Sequence, residues 1–282
     1  MEIRLAKSYG FCFGVKRAIK IAEEFPNSTT IGPLIHNNEE INRLKDSFNV
    51  DTINDYTEVK NIKKAIIRTH GITKEGFKTL KEKQVDIIDA TCPFVSKPQN
   101  ICKEMSKNGY QIVMFGDINH PEVKGVISYA EGDVVVVLKA EELENIKLHS
   151  KVAVISQTTR KFEDYTKIVN YIIPRVKETR VFNTICNATF ENQEAVRELS
   201  LECDIMIVVG GKNSSNTKQL YTIAKSNCND SYLIENENEL KKEWFRDKKI
   251  CGISAGASTP DWIIQKIMGK IKEINGKMVN SR

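Results

Sequence analysis

Five times along this chain a short apolar, β-branched run gives way to a small polar loop and then to a helical pattern. Ala65-Ile66-Ile67 leads into His70-Gly71 and a helix around residues 74–83. Ile112-Val113-Met114-Phe115 leads into Asn119-His120-Pro121-Glu122 and a helix to about residue 130. Val152-Ala153-Val154-Ile155 precedes Ser156-Gln157-Thr158-Thr159 and a helix from near Lys161. Ile205-Met206-Ile207-Val208-Val209 precedes a Gly210-Gly211 turn and Lys212-Asn213-Ser214-Ser215-Asn216. Ile250-Cys251-Gly252-Ile253 precedes Ala255-Gly256-Ala257-Ser258, with Pro260 suited to the first position of a helix. Strands that alternate with helices specify an α/β fold with small, mostly parallel sheets.

The loops recur by thirds. His36, His120 and Ser214 form one set, and His70, Thr158 and Ser258 a second. Cys12, Cys92 and Cys186 form a third, spaced 80 and 94 residues apart. Each third thus holds one member of every set, which predicts three similar α/β domains in a pseudo-threefold arrangement with the loops facing a central cavity. Ligands of open α/β sheets bind outside the carboxyl ends of the strands, where such loops lie. The rhythm sets the domains at 14–93, 94–186 and 187–282, the last joined by residues 1–13.

Most cysteines of a soluble protein are small core residues. That description suits Cys102 in a helical pattern, Cys203 and Cys251 beside apolar strands, and Cys228 after a helix. Cys12, Cys92 and Cys186 instead sit in polar loops, the first two flanked by Gly or Pro. Three thiolates from three remote segments can hold one iron–sulfur cluster and leave one iron without a protein ligand, a place for chemistry.

Three of the four histidines, His36, His70 and His120, fall in the loop sets, whereas His149 has no such context and is expected to face solvent. With Ser214, Ser215, Asn216 and Ser258 they make a cradle suited to a diphosphate, because helix N-termini favour anions. The Gly-x-x-x-x-Gly-Lys-[Ser/Thr] order of a P-loop is missing. Glu122, two residues after His120, is the one carboxylate embedded in this set and on its own reads as a first-turn acid favoured by the helix dipole. A formal charge of +5 suits anionic ligands, and no basic stripe suggests nucleic acid. The N-terminus lacks a signal-peptide pattern, no run approaches a membrane span, and the seven irregularly spaced cysteines do not read as a disulfide framework, so a reducing cytoplasm is expected.

Taken together, nine ordered motifs resemble the 4-hydroxy-3-methylbut-2-enyl diphosphate reductase family of the methylerythritol phosphate route to isoprenoids. They include Gly10-Phe11-Cys12-Phe13-Gly14-Val15, Ile35-His36-Asn37, Thr69-His70-Gly71, Asp89-Ala90-Thr91-Cys92-Pro93 and His120-Pro121-Glu122-Val123. Ser156-Gln157-Thr158-Thr159, Ile185-Cys186-Asn187-Ala188-Thr189, Lys212-Asn213-Ser214-Ser215-Asn216 and Ala255-Gly256-Ala257-Ser258 complete the series. The resemblance implies a cloverleaf of three α/β domains and a [4Fe–4S] cluster on Cys12, Cys92 and Cys186. It implies diphosphate contacts from His36, His70, His120, Ser214, Ser215, Asn216 and Ser258, with Glu122, Thr158 and His120 acting near the substrate hydroxyl. The implied reaction removes that hydroxyl with two electrons and two protons, giving isopentenyl and dimethylallyl diphosphate plus water. A ferredoxin or flavodoxin is the expected donor, with no nucleic-acid or membrane partner. Phe13, Asn187 and Phe190-Glu191-Asn192 depart from the family's usual forms without touching an implied ligand. A non-redox iron–sulfur hydro-lyase and a non-catalytic diphosphate sensor remain the alternative readings of the same residues.

Overall fold

A computed structural model describes residues 1–279 except His36, with side chains placed as far as Gly276. The candidate anion ligand His36 therefore lies outside the described residues. The first third runs β1 (Glu2–Leu5), α1 (Phe13–Glu24), β2 (Thr29–Ile31), α2 (Asn38–Phe48), β3 (Asp51–Ile53), β4 (Lys64–Ile67), α3 (Lys74–Glu82) and β5 (Asp86–Asp89). The second runs α4 (Pro93–Lys107), β6 (Gln111–Phe115), α5 (Pro121–Ile127), β7 (Val134–Val137), β8 (Lys151–Ser156), α6 (Phe162–Ile172) and β9 (Glu178–Val181). The last holds α7 (Asn187–Glu202), β10 (Ile205–Val209), α8 (Ser215–Asn227), β11 (Ser231–Ile234), β12 (Ile250–Ala255) and α9 (Asp261–Val279). Among the described residues no helix is long and apolar enough to cross a membrane.

The strands form three four-stranded sheets, ordered β3-β2-β4-β5, β7-β6-β8-β9 and β11-β10-β12-β1, and the strand pairs are parallel. The order is the same each time: second, first, third, fourth. Only the last sheet takes its fourth strand from the start of the chain, with Glu2 to Leu5 in register with Ile250 to Ile253. In each sheet the strand order reverses between the first and third strands, which opens a crevice at their carboxyl ends.

The chain divides into two compact units. One comprises Met1–Lys16, Ile35–Asn42 and Asn187–Arg282, and the other Arg17–Leu34 and Arg43–Cys186. In the first, strand alternation sends Ile205, Ile207 and Val209 against Ile263, Ile264 and Ile267 of α9, while Met206 and Val208 pack on α7 and α8. In the second, Ile112 and Met114 meet Met105 and Val123, and Val113 and Phe115 meet Ile168 and Ile172. Sheets covered on both faces need continuous apolar strands, and that is why these runs show no polar alternation.

The helix starts follow local chemistry. Pro93 and Pro121 occupy first positions, where a missing N–H costs nothing. Ser214 caps α8 through its hydroxyl, which accepts the Thr217 N–H at 3.3 Å. Pro260 differs slightly from its expected place: α9 begins at Asp261, and the Pro260 carbonyl accepts N–H groups from Ile263 and Ile264.

Candidate functional site

The repeated strand order explains the three loop sets. After the first strands (β2, β6, β10) come the loops of His36, His120 and Ser214. After the third strands (β4, β8, β12) come those of His70, Thr158 and Ser258, and after the fourth (β5, β9, β1) come Cys92, Cys186 and Cys12.

Each cysteine stands immediately before a helix: Cys12 before α1, Cys92 before α4 and Cys186 before α7. Each also donates its backbone N–H to the third-strand loop of its own sheet. Cys12 bonds the Ala257 carbonyl at 3.1 Å, Cys92 that of Thr69 at 3.0 Å, and Cys186 that of Thr158 at 2.9 Å. Two residues earlier the tie repeats, from Gly10 to Ala255 and from Ala90 to Ile67. In the remaining sheet the Thr184 hydroxyl bonds both the carbonyl and the N–H of Ser156.

Cys12, Cys92 and Cys186 are half-buried, at helix ends that favour negative charge. Cys102, Cys228 and Cys251 are buried. Burial pushes the Cys102 and Cys251 thiols up to about 12, and Cys203 up to about 11. Those groups are held as thiols, in keeping with core packing. Among the described residues no three His, Cys, Asp or Glu side chains gather into a metal-binding group; Cys12 belongs to one unit, Cys92 and Cys186 to the other.

In the second unit Glu122 is 1% exposed and Thr158 6%. The Thr158 backbone N–H and hydroxyl donate to the two carboxylate oxygens of Glu122, both at 2.7 Å. Burial raises the Glu122 carboxyl above its ordinary range, opposed in part by those two donors and by the charge of Arg160. His120 caps α5, its Nδ1 accepting the Glu122 N–H at 3.2 Å. In the neutral ring the proton therefore sits on Nε2. The His70 ring meets His120 edge-on, with centroids 5.3 Å apart. His149 is paired with Asp133 at the surface, as expected of a solvent-facing residue.

In the first unit Ser214, Asn216 and Ser258 are buried and Ser215 half-buried. Both amide atoms of Asn216 are buried without a hydrogen-bond partner among the described residues, as is the Thr217 hydroxyl. Buried polar groups are normally satisfied, and of these atoms the Asn216 Nδ2 and the Thr217 hydroxyl can donate to an oxyanion at the β10–β12 crevice. The Thr217 hydroxyl fills the space where a Cβ on Gly256 would stand.

Two residues that matter locally escape the motif reading. Gln157 is fully buried and its amide joins the Asp117 N–H, the Thr159 hydroxyl and the Arg160 Nε. Arg17 donates to the Asp89 and Thr91 carbonyls just before Cys92. The available signal for Gln157 is its place between Ser156 and Thr158, directly after an apolar strand. Nothing in the chain pattern marks Arg17.

The sequence model of the LytB protein family matches residues 3–272. The chain is similar to the 4-hydroxy-3-methylbut-2-enyl diphosphate reductase of Campylobacter fetus subsp. fetus (strain 82-40), 67% identical over 98% of this chain and 99% of that protein. The enzyme of the same name from a Nitratiruptor species is 66% identical over 97% of this chain and 99% of its own length. A solved structure of (E)-4-hydroxy-3-methyl-but-2-enyl diphosphate reductase, the terminal enzyme of the non-mevalonate pathway, is 44% identical with TM-score 0.71, over 97% of this chain and all of that one. The E-1-hydroxy-2-methyl-but-2-enyl-4-diphosphate reductase of Plasmodium falciparum is 28% identical with TM-score 0.88, over 95% of this chain and 87% of its own. By sequence and by fold alike, the chain belongs to the LytB family.

Proposed function

We propose that this chain reduces 4-hydroxy-3-methylbut-2-enyl diphosphate to isopentenyl and dimethylallyl diphosphate, with release of water. Overall, one C–O bond breaks and one C–H bond forms, using two electrons and two protons. The observation that carries the reading is the backbone bond shared by Cys12, Cys92 and Cys186, which presents three half-buried thiols in equivalent local settings. That donor set fits a [4Fe–4S] cluster with one iron lacking a protein ligand. Such a cluster, when bound, supplies electrons and a Lewis-acidic iron for the hydroxyl.

The chain's own residues supply the rest. Glu122 is the proton carrier, its carboxyl raised by burial, and Thr158 fixes that carboxyl through both oxygens. Protonation turns hydroxide, a poor leaving group, into water. His120 offers Nε2 as a donor because its Nδ1 is occupied by the helix cap. Ser214, Ser215, Asn216 and Ser258, with His36, His70 and His120, hold the diphosphate, so that binding energy at one end positions the hydroxyl at the other. A low-potential ferredoxin or flavodoxin delivers the electrons in a reducing cytoplasm, a setting that suits seven cysteines outside any disulfide.

Anaerobic turnover with and without a low-potential reductant tests the reading. Product formed only with reductant supports it. Turnover without reductant points to a hydro-lyase, and substrate binding without turnover points to a sensor.

A further inference from the structure

Lys212 opens the Lys212-Asn213-Ser214-Ser215-Asn216 motif, where an ammonium is the obvious partner for a diphosphate. Its contacts lie elsewhere. Nζ donates to Glu239 Oε2, and the backbone N–H donates to Glu235 Oε1 at 2.8 Å. The Glu235 N–H donates in turn to Glu239 Oε1 at 2.8 Å. The three residues close a ring in which the loop after β11 supplies both carboxylates. A short 3-10 helix over Glu237–Glu239 fixes where Glu239 stands, its start capped by the Asn236 side chain on the Asn238 N–H at 3.0 Å. Lys212 and Glu239 line a surface groove with Tyr232 and Trp244, whose rings stack with centres 3.9 Å apart.

That ring stands over β11, the edge strand of its sheet, whereas the crevice lies between β10 and β12. The turn after β10 reaches both sides. Gly210 donates to the Ile234 carbonyl at the end of β11 at 2.9 Å and adopts φ +145°, and a Cβ on it would meet the Thr217 and Thr259 hydroxyls. The Gly211 carbonyl accepts the Ser214 N–H at 2.9 Å, which closes a tight turn around Lys212 and Asn213. Ser214 then caps α8, and Thr217, next to Asn216, packs on Gly256 of the β12 loop. Fixing Lys212 therefore fixes the turn from which Ser214, Ser215 and Asn216 emerge. An exposed ion pair by itself contributes little to global stability. Here each carboxylate also holds a backbone N–H, so the ring sets local geometry instead. We propose that Lys212 is a positioning residue, a strut that with Glu235 and Glu239 sets the β10–α8 turn so that neutral donors meet the anion. The inference rests on the reading of Ser214, Ser215 and Asn216 as part of the diphosphate cradle.

A strut and a ligand respond oppositely to the loss of Glu239. Were Lys212 a ligand, Glu239→Ala would release its ammonium to the anion and leave binding equal or tighter. As a strut, Lys212→Met and Glu239→Ala should each raise KM with kcat near wild type. Each should also weaken pyrophosphate binding, measured by calorimetry on the full chain, by roughly two- to tenfold, the range for one misplaced neutral hydrogen bond. The double variant should lose no more than the larger single effect, because the two residues act as one unit. Lys212→Arg, which keeps the pair with Glu239, should bind near wild type, and Glu239→Gln serves if Glu239→Ala does not fold. Ser214→Ala and Asn216→Ala report on the cradle itself. Weaker binding in those two, with none in Lys212→Met and Glu239→Ala, overturns the strut and spares the cradle. Additive losses, or a loss in Lys212→Met alone, make Lys212 a ligand and overturn the strut. Binding unmoved in Ser214→Ala and Asn216→Ala overturns the cradle, and the inference with it.

Discussion

At the scale of single residues, the two populations of cysteine should separate cleanly. Serine at Cys12, Cys92 or Cys186 is expected to deplete iron and abolish reductive turnover, since a hydroxyl is a far weaker ligand than thiolate for such clusters. Serine at Cys102, Cys203, Cys228 or Cys251 should preserve iron content, measured on anaerobically purified protein. Iron lost from Cys251→Ser and retained in Cys92→Ser would reverse the assignment. Glu122 makes a different demand. Glutamine keeps its shape and cannot supply a proton, so turnover should fall by roughly a hundred- to ten-thousandfold with iron content unchanged. The same substitution has a signature in stability. A carboxyl whose folded pKa is raised stabilises fully below its unfolded pKa, and that contribution is lost as pH rises through the folded one. Glu122→Gln should therefore gain in Tm over wild type as pH is raised, and a gap that narrows instead would deny the burial argument.

Among elements, the crevice between β10 and β12 depends on close backbone approach. Alanine at Gly256 would drive a Cβ into the Thr217 hydroxyl, on the first turn of α8 beside Asn216. Overpacking of this kind costs about 1–3 kcal/mol, and here it should also weaken inhibition by pyrophosphate. Alanine at Ser214, Asn216 or Ser258 should raise KM with a smaller change in kcat. Loss of a charge-assisted hydrogen bond costs about 1.5–3 kcal/mol, roughly ten- to a hundredfold in affinity. His149→Ala, whose ring pairs with Asp133 at the surface, serves as the control. An equal rise in KM for His149→Ala would dissolve the cradle. These elements were legible in the chain because apolar strands buried on both faces, such as Ile112 to Phe115, stand out against polar loops. The contacts of Gln157 and Arg160 were not, because they arise from side-chain packing across β6 and β8, and spacing along the chain carries no record of it.

At the scale of the whole molecule, the recurrence of loops by thirds has a concrete cause: one strand order used three times. Spacing alone could reveal the period, since each sheet consumes a similar length of chain. It could not reveal which strand follows which in space, because register and order come from pairing partners far apart in sequence. The last sheet has a consequence for how the protein is made. Its fourth strand, β1, leaves the ribosome first, yet its partner β12 and the carbonyl of Ala257 that holds Cys12 come some 250 residues later. Residues 43–186 of the second unit carry all their own strand pairings except that of β2, so most of that unit can form while synthesis continues. The Cys12 loop stays unanchored until β12 and Ala257 have been made. On the proposed ligand set, a nascent chain stalled before β12 should take up no stable iron.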